Sequence, residues 1–313
     1  MRSFRSLDGV TRQDFPRPTA ATIGKFDGVH LGHREILAQL TQAAQQRGLE
    51  PAVFTFTQNP LSLIAPRLQP QPLTSPAQRL EQLERSGIAA TLMVDFDDRL
   101  RQLSPEAYVK RILVDLMRAE FVQVGEDFRF GQGGQGDAAE LERLGKQLGF
   151  EVAVTKDVTV SGDRVSSSRI RELLGEGNVS AANRLLGRHL ELRGTVVHGA
   201  KRGRELGFPT ANLGDLEGHP PADGVYAGYA TVAGKRHRAA ISVGSNPTFT
   251  PDAVSQVEVH ILDFGEDIYG EVITVAVTER IRPTLSFDSV DDLVAEMHRD
   301  VAKIHALLDE EER

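Results

Sequence analysis

The sequence predicts two unlike folds in one chain: an α/β domain on a parallel sheet covered on both faces, then an antiparallel β-barrel closed by a C-terminal helix. Three observations carry this reading. Residues 19–174 alternate strand-length apolar runs with segments of helical period, as expected for a parallel sheet buried on both faces. After about residue 187 the long helical segments stop, and strand-like runs follow one another between glycines and prolines, as in antiparallel barrels. Helical period returns at the end of the chain, over 288–308. The expected domains are therefore 1–187 and 188–313.

In the first domain the apolar runs are ATIGKF (21–26, with Ala20), PAVFTF (51–56), ATLMVDF (90–96), EFVQVG (120–125) and FEVAVT (150–155). Ser75-Pro76 and Ser104-Pro105 each pair an N-cap serine with proline at the first helical position, and Asp137 can cap the segment ending near Leu148. GEGNVSAANRLLGR (175–188) reads as a loop and a short helix. Barrel strands are expected in ELRGTVVHG, GVYAGYATV, KRHRAAISVG, SQVEVHILDF and EVITVAVTER.

A length of 313 residues suits two domains, and 40% hydrophobic with 26% charged residues allows a sizeable core. The net charge of -8 argues against wrapping a nucleic-acid duplex, which needs a basic surface, but leaves room for a local pocket that takes a nucleotide. With no cysteine, thiolate nucleophiles, disulfides and Cys-ligated metals are excluded. MRSFRSLDGV lacks the apolar stretch of a signal peptide, and no run approaches a membrane span. The expectation is a cytoplasmic protein with neither a nucleic-acid nor a membrane partner; the oligomeric state is not legible.

The first candidate site is GKFDGVHLGH (24–33). It follows the first strand of an open parallel sheet, where ligands bind beyond the carboxyl ends of strands. His33 would open the helix carrying Ile36, Leu37 and Leu40, and a helix N-terminus offers N–H groups and a positive dipole end to an anion. Gly32 removes a side chain between His30 and His33. Taken alone, the histidines could be caps, metal ligands or anion binders; a zinc site lacks a third ligand at a recognised spacing. In VSSSRIRELL (165–174), Ser166 to Ser168 with Arg169 and Arg171 suit a triphosphate, or form an ordinary capped helix. Gly131, Gly133 and Gly136 satisfy GxGxxG. No strand ending in an acidic residue follows at dinucleotide spacing, so GQGGQG reads as a mobile loop over a ligand.

The second candidate is GTVVHGAKRGRELGFPTANL (194–213), where glycines let the backbone approach phosphate and Lys201, Arg202 and Arg204 add charge. It lacks a Walker A spacing, and a basic surface hairpin is the alternative. In SQVEVHILDF, Val257, Val259 and Ile261 alternate onto one face and leave Glu258 and His260 on the other.

GKFDGVHLGHR resembles the HxGH signature of the nucleotidyltransferase superfamily, and more closely the opening motif of bacterial bifunctional riboflavin kinase/FAD synthetases. VGEDFRFG resembles that family's G-x-[DN]-F-x-F-G motif. VSSSRIR resembles ISSTxIR with Ser168 for the usual threonine, and VFTFTQNP (53–60) partly matches a flavin-contacting loop. GRELGFPTANL matches the riboflavin kinase motif in full, and GVYAG, AISVGSNPTF and VEVHILDF follow in family order. The resemblance implies a Rossmann-like nucleotidyltransferase domain and a riboflavin kinase barrel, with Mg2+, ATP, riboflavin and FMN as cofactor and substrates.

It also implies roles. Gly24, Phe26, His30, Gly32, His33, Ser166, Ser167, Ser168 and Arg171 would hold ATP for adenylyl transfer, with His30, His33 and Arg171 catalytic. Asn59, Asp127, Phe128 and Phe130 would contact flavin. Gly199, Lys201, Gly203, Arg204, Gly207, Thr210 and Asn212 would hold the ATP of the kinase. Thr210 and Asn212 would ligate Mg2+, and Glu258 would be base and flavin contact. An ionised phosphate nucleophile needs positioning and charge neutralisation rather than a base, whereas an alcohol is helped by one. Thr284 and Ser286 stand where the family commonly has Glu and Lys. Two alternatives are a riboflavin kinase with a weak or divergent N-terminal domain, and a flavin-binding regulatory module.

Overall fold

The computed structural model describes residues 1–199, 203, 206–244 and 256–312. They form two compact units, Met1–Ser166 and Ser167–Arg313.

The first unit is built on β1 (Arg2–Phe4), β2 (Thr19–Ile23), β3 (Glu50–Phe56), β4 (Ala90–Val94), β5 (Ala119–Gly125) and β6 (Glu151–Thr155). Among the described residues these make one sheet in the order β1-β4-β3-β2-β5-β6, with every neighbouring pair parallel. Alternate residues serve opposite faces: Ala21, Ile23, Phe54 and Val122 join one core cluster, while Ala20, Val53 and Phe121 join another with Leu37 and Leu40. Burial on both faces explains the near-continuous apolar runs. The chain runs β2, β3, β4 in one direction and then crosses to β5 and β6. The strand order therefore reverses between β2 and β5, which is where open α/β sheets bind ligands.

The expected helix starts are present. Ser75 accepts from the Gln78 amide at the head of the helix Pro76–Arg85. Ser104 caps Pro105–Tyr108, which continues as a π-type segment, Val109–Leu116. Asp137 caps Ala138–Leu148, and Gly149 ends it in the left-handed conformation at φ 86°. β2 stops at Ile23 rather than reaching Phe26, because Gly24 to Val29 leave the sheet as a tight loop. A two-stranded hairpin, β7 (Thr159–Val160) with β8 (Asp163–Arg164), precedes the end of this unit.

The second unit opens with helices Ser167–Gly175 and Val179–Leu186. Its strands β9 (Leu190–Val197), β10 (Ala211–Glu217), β11 (Gly224–Val232), β12 (Lys235–Gly244), β13 (Gln256–Ile261) and β14 (Val272–Pro283) close a barrel ordered β10-β13-β12-β11-β14-β9 among the described residues. The short helices lie upstream of the expected boundary yet bond to this barrel. The Asn183 amide donates to the Val277 and Thr278 carbonyls at 2.9 and 3.2 Å, and the Ala222 N–H donates to the Leu174 carbonyl at 2.8 Å. β10 was not among the expected strands; it pairs with both β9 and β13. The helix Val290–Glu311, capped by Ser289, packs Ile304 and Leu308 on Ala227, Tyr229 and Leu262. The buried Asp300 receives Arg282 at 2.9 Å, and burial raises its pKa.

Candidate active sites

The loop after β2 is held in an unfavourable backbone conformation. Phe26 and Val29 have φ of 49° and 37°, on either side of Gly28 at 84°. Left-handed φ is an outlier for a β-branched residue, and such residues cost about 1–3 kcal/mol each. Hydrogen bonds fasten the loop at nearly every position. The Gly24 N–H donates to the Phe54 carbonyl at 3.2 Å, and Thr55 Oγ1 donates to the Lys25 carbonyl at 3.1 Å. Asp27, 8% exposed, accepts from the Leu73 and Thr74 amides at 2.9 and 3.3 Å, and the Gly28 N–H donates to Thr74 Oγ1 at 3.2 Å. At about 1 kcal/mol per bond, these contacts are enough to hold two strained residues.

The loop delivers His30 and His33 to the head of the helix Leu31–Arg47. His30 is its N-cap, and His30 Nδ1 accepts from the His33 backbone N–H at 3.3 Å. An accepting Nδ1 leaves the proton of a neutral imidazole on Nε2, which can donate to a ligand oxygen. Capping and ligand binding are therefore compatible for this residue. The two rings stack, with centroids 3.7 Å apart and planes inclined by 14°, and Phe26 lies 5.0 Å from the His33 ring. The first turn carries no acidic side chain, so nothing in it opposes an anion at the positive end of the dipole.

The other expected residues are placed as follows. A Cβ on Gly32 would lie 3.3 Å from the His30 ring and 3.6 Å from the Val165 carbonyl, so the segment entering Ser166 passes beside the histidine turn. Gly125, at the end of β5, sits against Ile36. Beyond it, exposed Asp127 pairs with Arg164 at 2.9 Å, and Arg164 also binds Asp157, joining the EDFRFG loop to the β7–β8 hairpin. Phe128 is half-buried and stacks on Phe130 at 5.3 Å, whereas Phe130 is in the core near Tyr108. GQGGQG, expected as a mobile loop, is tied at both ends. Phe130 and Gly136 exchange backbone hydrogen bonds, and the Gln132 N–H donates to the Leu103 carbonyl at 2.7 Å. Asn59, after β3, accepts from the Leu61 N–H at 3.1 Å. Ser167, Ser168 and Arg171 lie on the helix that opens the second unit, with Arg171 half-buried.

In the barrel, Asn212 of β10 is register partner to Glu258 of β13, and Thr210 Oγ1 donates to Glu258 Oε2 at 3.2 Å. Val257, Val259 and Ile261 are buried as the alternation required, leaving Glu258 and His260 half-buried on the other face. Gly199 lies so close to the Asn212 amide that any side chain there would displace it. His260 contacts the Pro209 carbonyl at 2.8 Å, and Phe208 is bracketed by the His260 and His298 rings. A cavity of about 390 Å³ opens beside Thr210, walled by Val196, Val259, Ile261 and Tyr269 together with the acidic Glu266 and Asp267. Gly203 and Gly207 shape the approach to Phe208. Lys201, Arg202 and Arg204, and AISVGSNPTF beyond Gly244, lie outside the described residues. Thr284 and Ser286 are exposed after β14.

Among the described residues no three His, Cys, Asp or Glu side chains are grouped to hold a metal, and no helix is long and apolar enough to cross a membrane. Thr210, Asn212 and Glu258 instead offer a hydroxyl, an amide oxygen and one carboxylate. That donor set fits Mg2+ arriving on nucleotide phosphates and retaining water.

Sequence reasoning missed Thr74 and Arg79, which grip the loop from just ahead of the helix Pro76–Arg85 and from within it. Arg79, 4% exposed, donates from Nη1 to the Lys25 and Phe56 carbonyls at 3.0 and 2.5 Å. The available signal was position: Arg79 shares a helix face with buried Leu83, four residues on.

Comparison with known proteins matches two families to successive parts of the chain. Residues 12–169 match the family described as FAD synthetase and residues 186–308 the one described as riboflavin kinase. A bifunctional riboflavin kinase/FMN adenylyltransferase of Listeria monocytogenes is 39% identical over 89% of this chain and 88% of its own. One of Escherichia coli K12 is 38% identical over 89% of each chain. A crystal structure described as a macrolide-efflux protein from Streptococcus pneumoniae superposes with a TM-score of 0.86 at 33% identity, covering 97% of this chain and 99% of its own. The chain belongs to the bifunctional riboflavin kinase/FMN adenylyltransferase family.

Proposed function

We propose that this chain makes FMN from riboflavin and ATP, and FAD from FMN and ATP. Residues 188–313 carry the first reaction and residues 1–187 the second. The observation that carries this reading is the presence of two phosphate-handling constellations of different chemistry. One is a stacked histidine pair at a helix head, and the other is a carboxylate beside a hydroxyl and an amide.

In the kinase reaction the terminal ribityl hydroxyl attacks the γ-phosphorus of ATP. The new O–P bond replaces the bond to the β–γ bridging oxygen, and ADP leaves. Glu258 accepts the hydroxyl proton, and its hydrogen bond from Thr210 fixes one carboxylate oxygen. Thr210 and Asn212 would hold Mg2+, which neutralises phosphate charge when bound. The cavity beside Thr210, of small-molecule size and with both polar and apolar walls, is proposed to take the adenine end of ATP.

In the adenylyl transfer an FMN phosphate oxygen attacks the α-phosphorus and pyrophosphate leaves. No proton has to be removed from the nucleophile. His30 and His33 donate to the transferring phosphate, and the helix head adds dipole charge. Asn59, Asp127 and Phe128 are proposed to meet the flavin; Phe130 supports the Phe128 ring from the core. The roles of Ser166, Ser167, Ser168 and Arg171 rest on their motif. The cytoplasm, where ATP and flavins are available, is the proposed compartment.

The test is chromatography of products from riboflavin with Mg-ATP and, separately, from FMN with Mg-ATP. FMN followed by FAD in the first mixture and FAD in the second is expected. FMN without FAD would instead identify a riboflavin kinase with a divergent first domain.

A further inference from the structure

Burying the Arg79 guanidinium incurs a large desolvation penalty, so stability alone does not account for it. Its position in the fold suggests another use. The two carbonyls it holds belong to Lys25, two residues past the end of β2, and Phe56, the last residue of β3. β2 and β3 are neighbouring parallel strands. One leads into the strained loop that ends at His30, the other into the segment carrying Asn59.

The segment leading into the same helix grips the first loop a second time. Thr74, just before the Ser75 cap, bonds to Gly28 and to Asp27. Asp27 is also the carboxylate whose charge offsets part of the effect of burial on Arg79. Arg79 on the helix Pro76–Arg85 and Thr74 just ahead of its cap thus form a bracket, fixing the spacing of two loops as they leave the sheet.

We infer that Arg79 is a positioning residue for adenylyl transfer, holding the histidine loop after β2 in register with the flavin-side loop after β3. The inference rests on the proposed adenylyltransferase reading of this unit. In-line attack by FMN on ATP requires the two substrates to meet in one geometry, and a displacement of about 1 Å costs up to about a hundredfold in rate. Arg79 touches neither substrate, so its loss acts on kcat more than on KM for ATP.

The test uses the full chain, with R79M and R79K assayed for FAD formation from FMN and, in the same preparation, for FMN formation from riboflavin. R79M is expected to lower kcat for FAD formation about 10- to 100-fold while KM for ATP changes less than about threefold. R79K keeps the charge but not the fork geometry, and is expected to fall only about threefold. FMN formation should match the unsubstituted protein in both, showing that the second unit is intact. A folded R79M with unchanged kcat would overturn the inference, as would equal losses in R79K and R79M. Should R79M fail to fold, R79K decides: a threefold loss of kcat at unchanged melting temperature supports the inference, and an unchanged kcat overturns it. If the unsubstituted protein makes no FAD from FMN, the reading of the unit fails, independently of Arg79.

Discussion

The two candidate sites reach phosphate chemistry by different physical routes. The site after β2 is a strained loop fastened along its length, presenting two stacked imidazoles at a helix head. The site between β10 and β13 rests on regular strand register, which alone sets Asn212 opposite Glu258. The difference follows the nucleophiles. An ionised phosphate brings its own charge and needs a shaped, cationic receptacle, whereas a neutral hydroxyl needs a nearby group to take its proton.

The sharpest way to break this contrast is to remove the carboxylate from the barrel site. Glu258→Gln should lower FMN formation from riboflavin by about 10²- to 10⁴-fold, the range for a lost general base, while leaving FAD formation from supplied FMN unchanged. Next in size, His30→Ala with His33→Ala should lower FAD formation about 10²- to 10³-fold, as for lost transition-state donors, and spare FMN formation. Asn212→Ala should raise the Mg2+ concentration needed for half-maximal FMN formation by about tenfold, roughly the effect of losing one metal ligand or its orienting partner, with no change in FAD formation. All three are read from initial rates on separated products.

The smallest effect lies away from both sites. Arg238 pairs with Asp309 and Glu312 at the end of the C-terminal helix. Arg238→Ala should lower the urea midpoint of the second unit only slightly, since exposed pairs contribute little. The hydrogen bond from Arg238 holds the Glu312 carboxyl below its usual range. Its stabilising contribution is therefore present above the unfolded-state carboxylate pKa and is lost as acid protonates Glu312 in the folded chain. The difference between Arg238→Ala and the unsubstituted protein should shrink on acidification below about pH 4.

Much of this architecture was legible because burial left periodic marks. The central strands β2 to β5 showed as apolar runs, β13 as strict alternation, and three helix heads as capping residues. β1 escaped because Arg2–Phe4 is too short to display a period. β10 escaped because Gly214 and a register shift before Glu217 break its alternation, and PTAN reads as a turn. In the candidate sites the motifs were legible but their mechanics were not. Nothing local in GKFDGVH reveals that Phe26 and Val29 adopt positive φ, because that strain is sustained by Thr74 and Arg79, about fifty residues away in sequence. The expected boundary followed the switch from helical to strand-like period, whereas compactness groups the two short helices with the barrel, to which Asn183 and Leu174 bond.

The central claim is that two chemically distinct sites divide the work. It is tested most directly by following products from riboflavin and Mg-ATP with Glu258→Gln, with His30→Ala/His33→Ala, and with the two variants mixed. The first should leave riboflavin unconverted, the second should accumulate FMN without FAD, and the mixture should make FAD. Loss of both FMN formation from riboflavin and FAD formation from FMN in either variant, with the protein folded, would contradict the account.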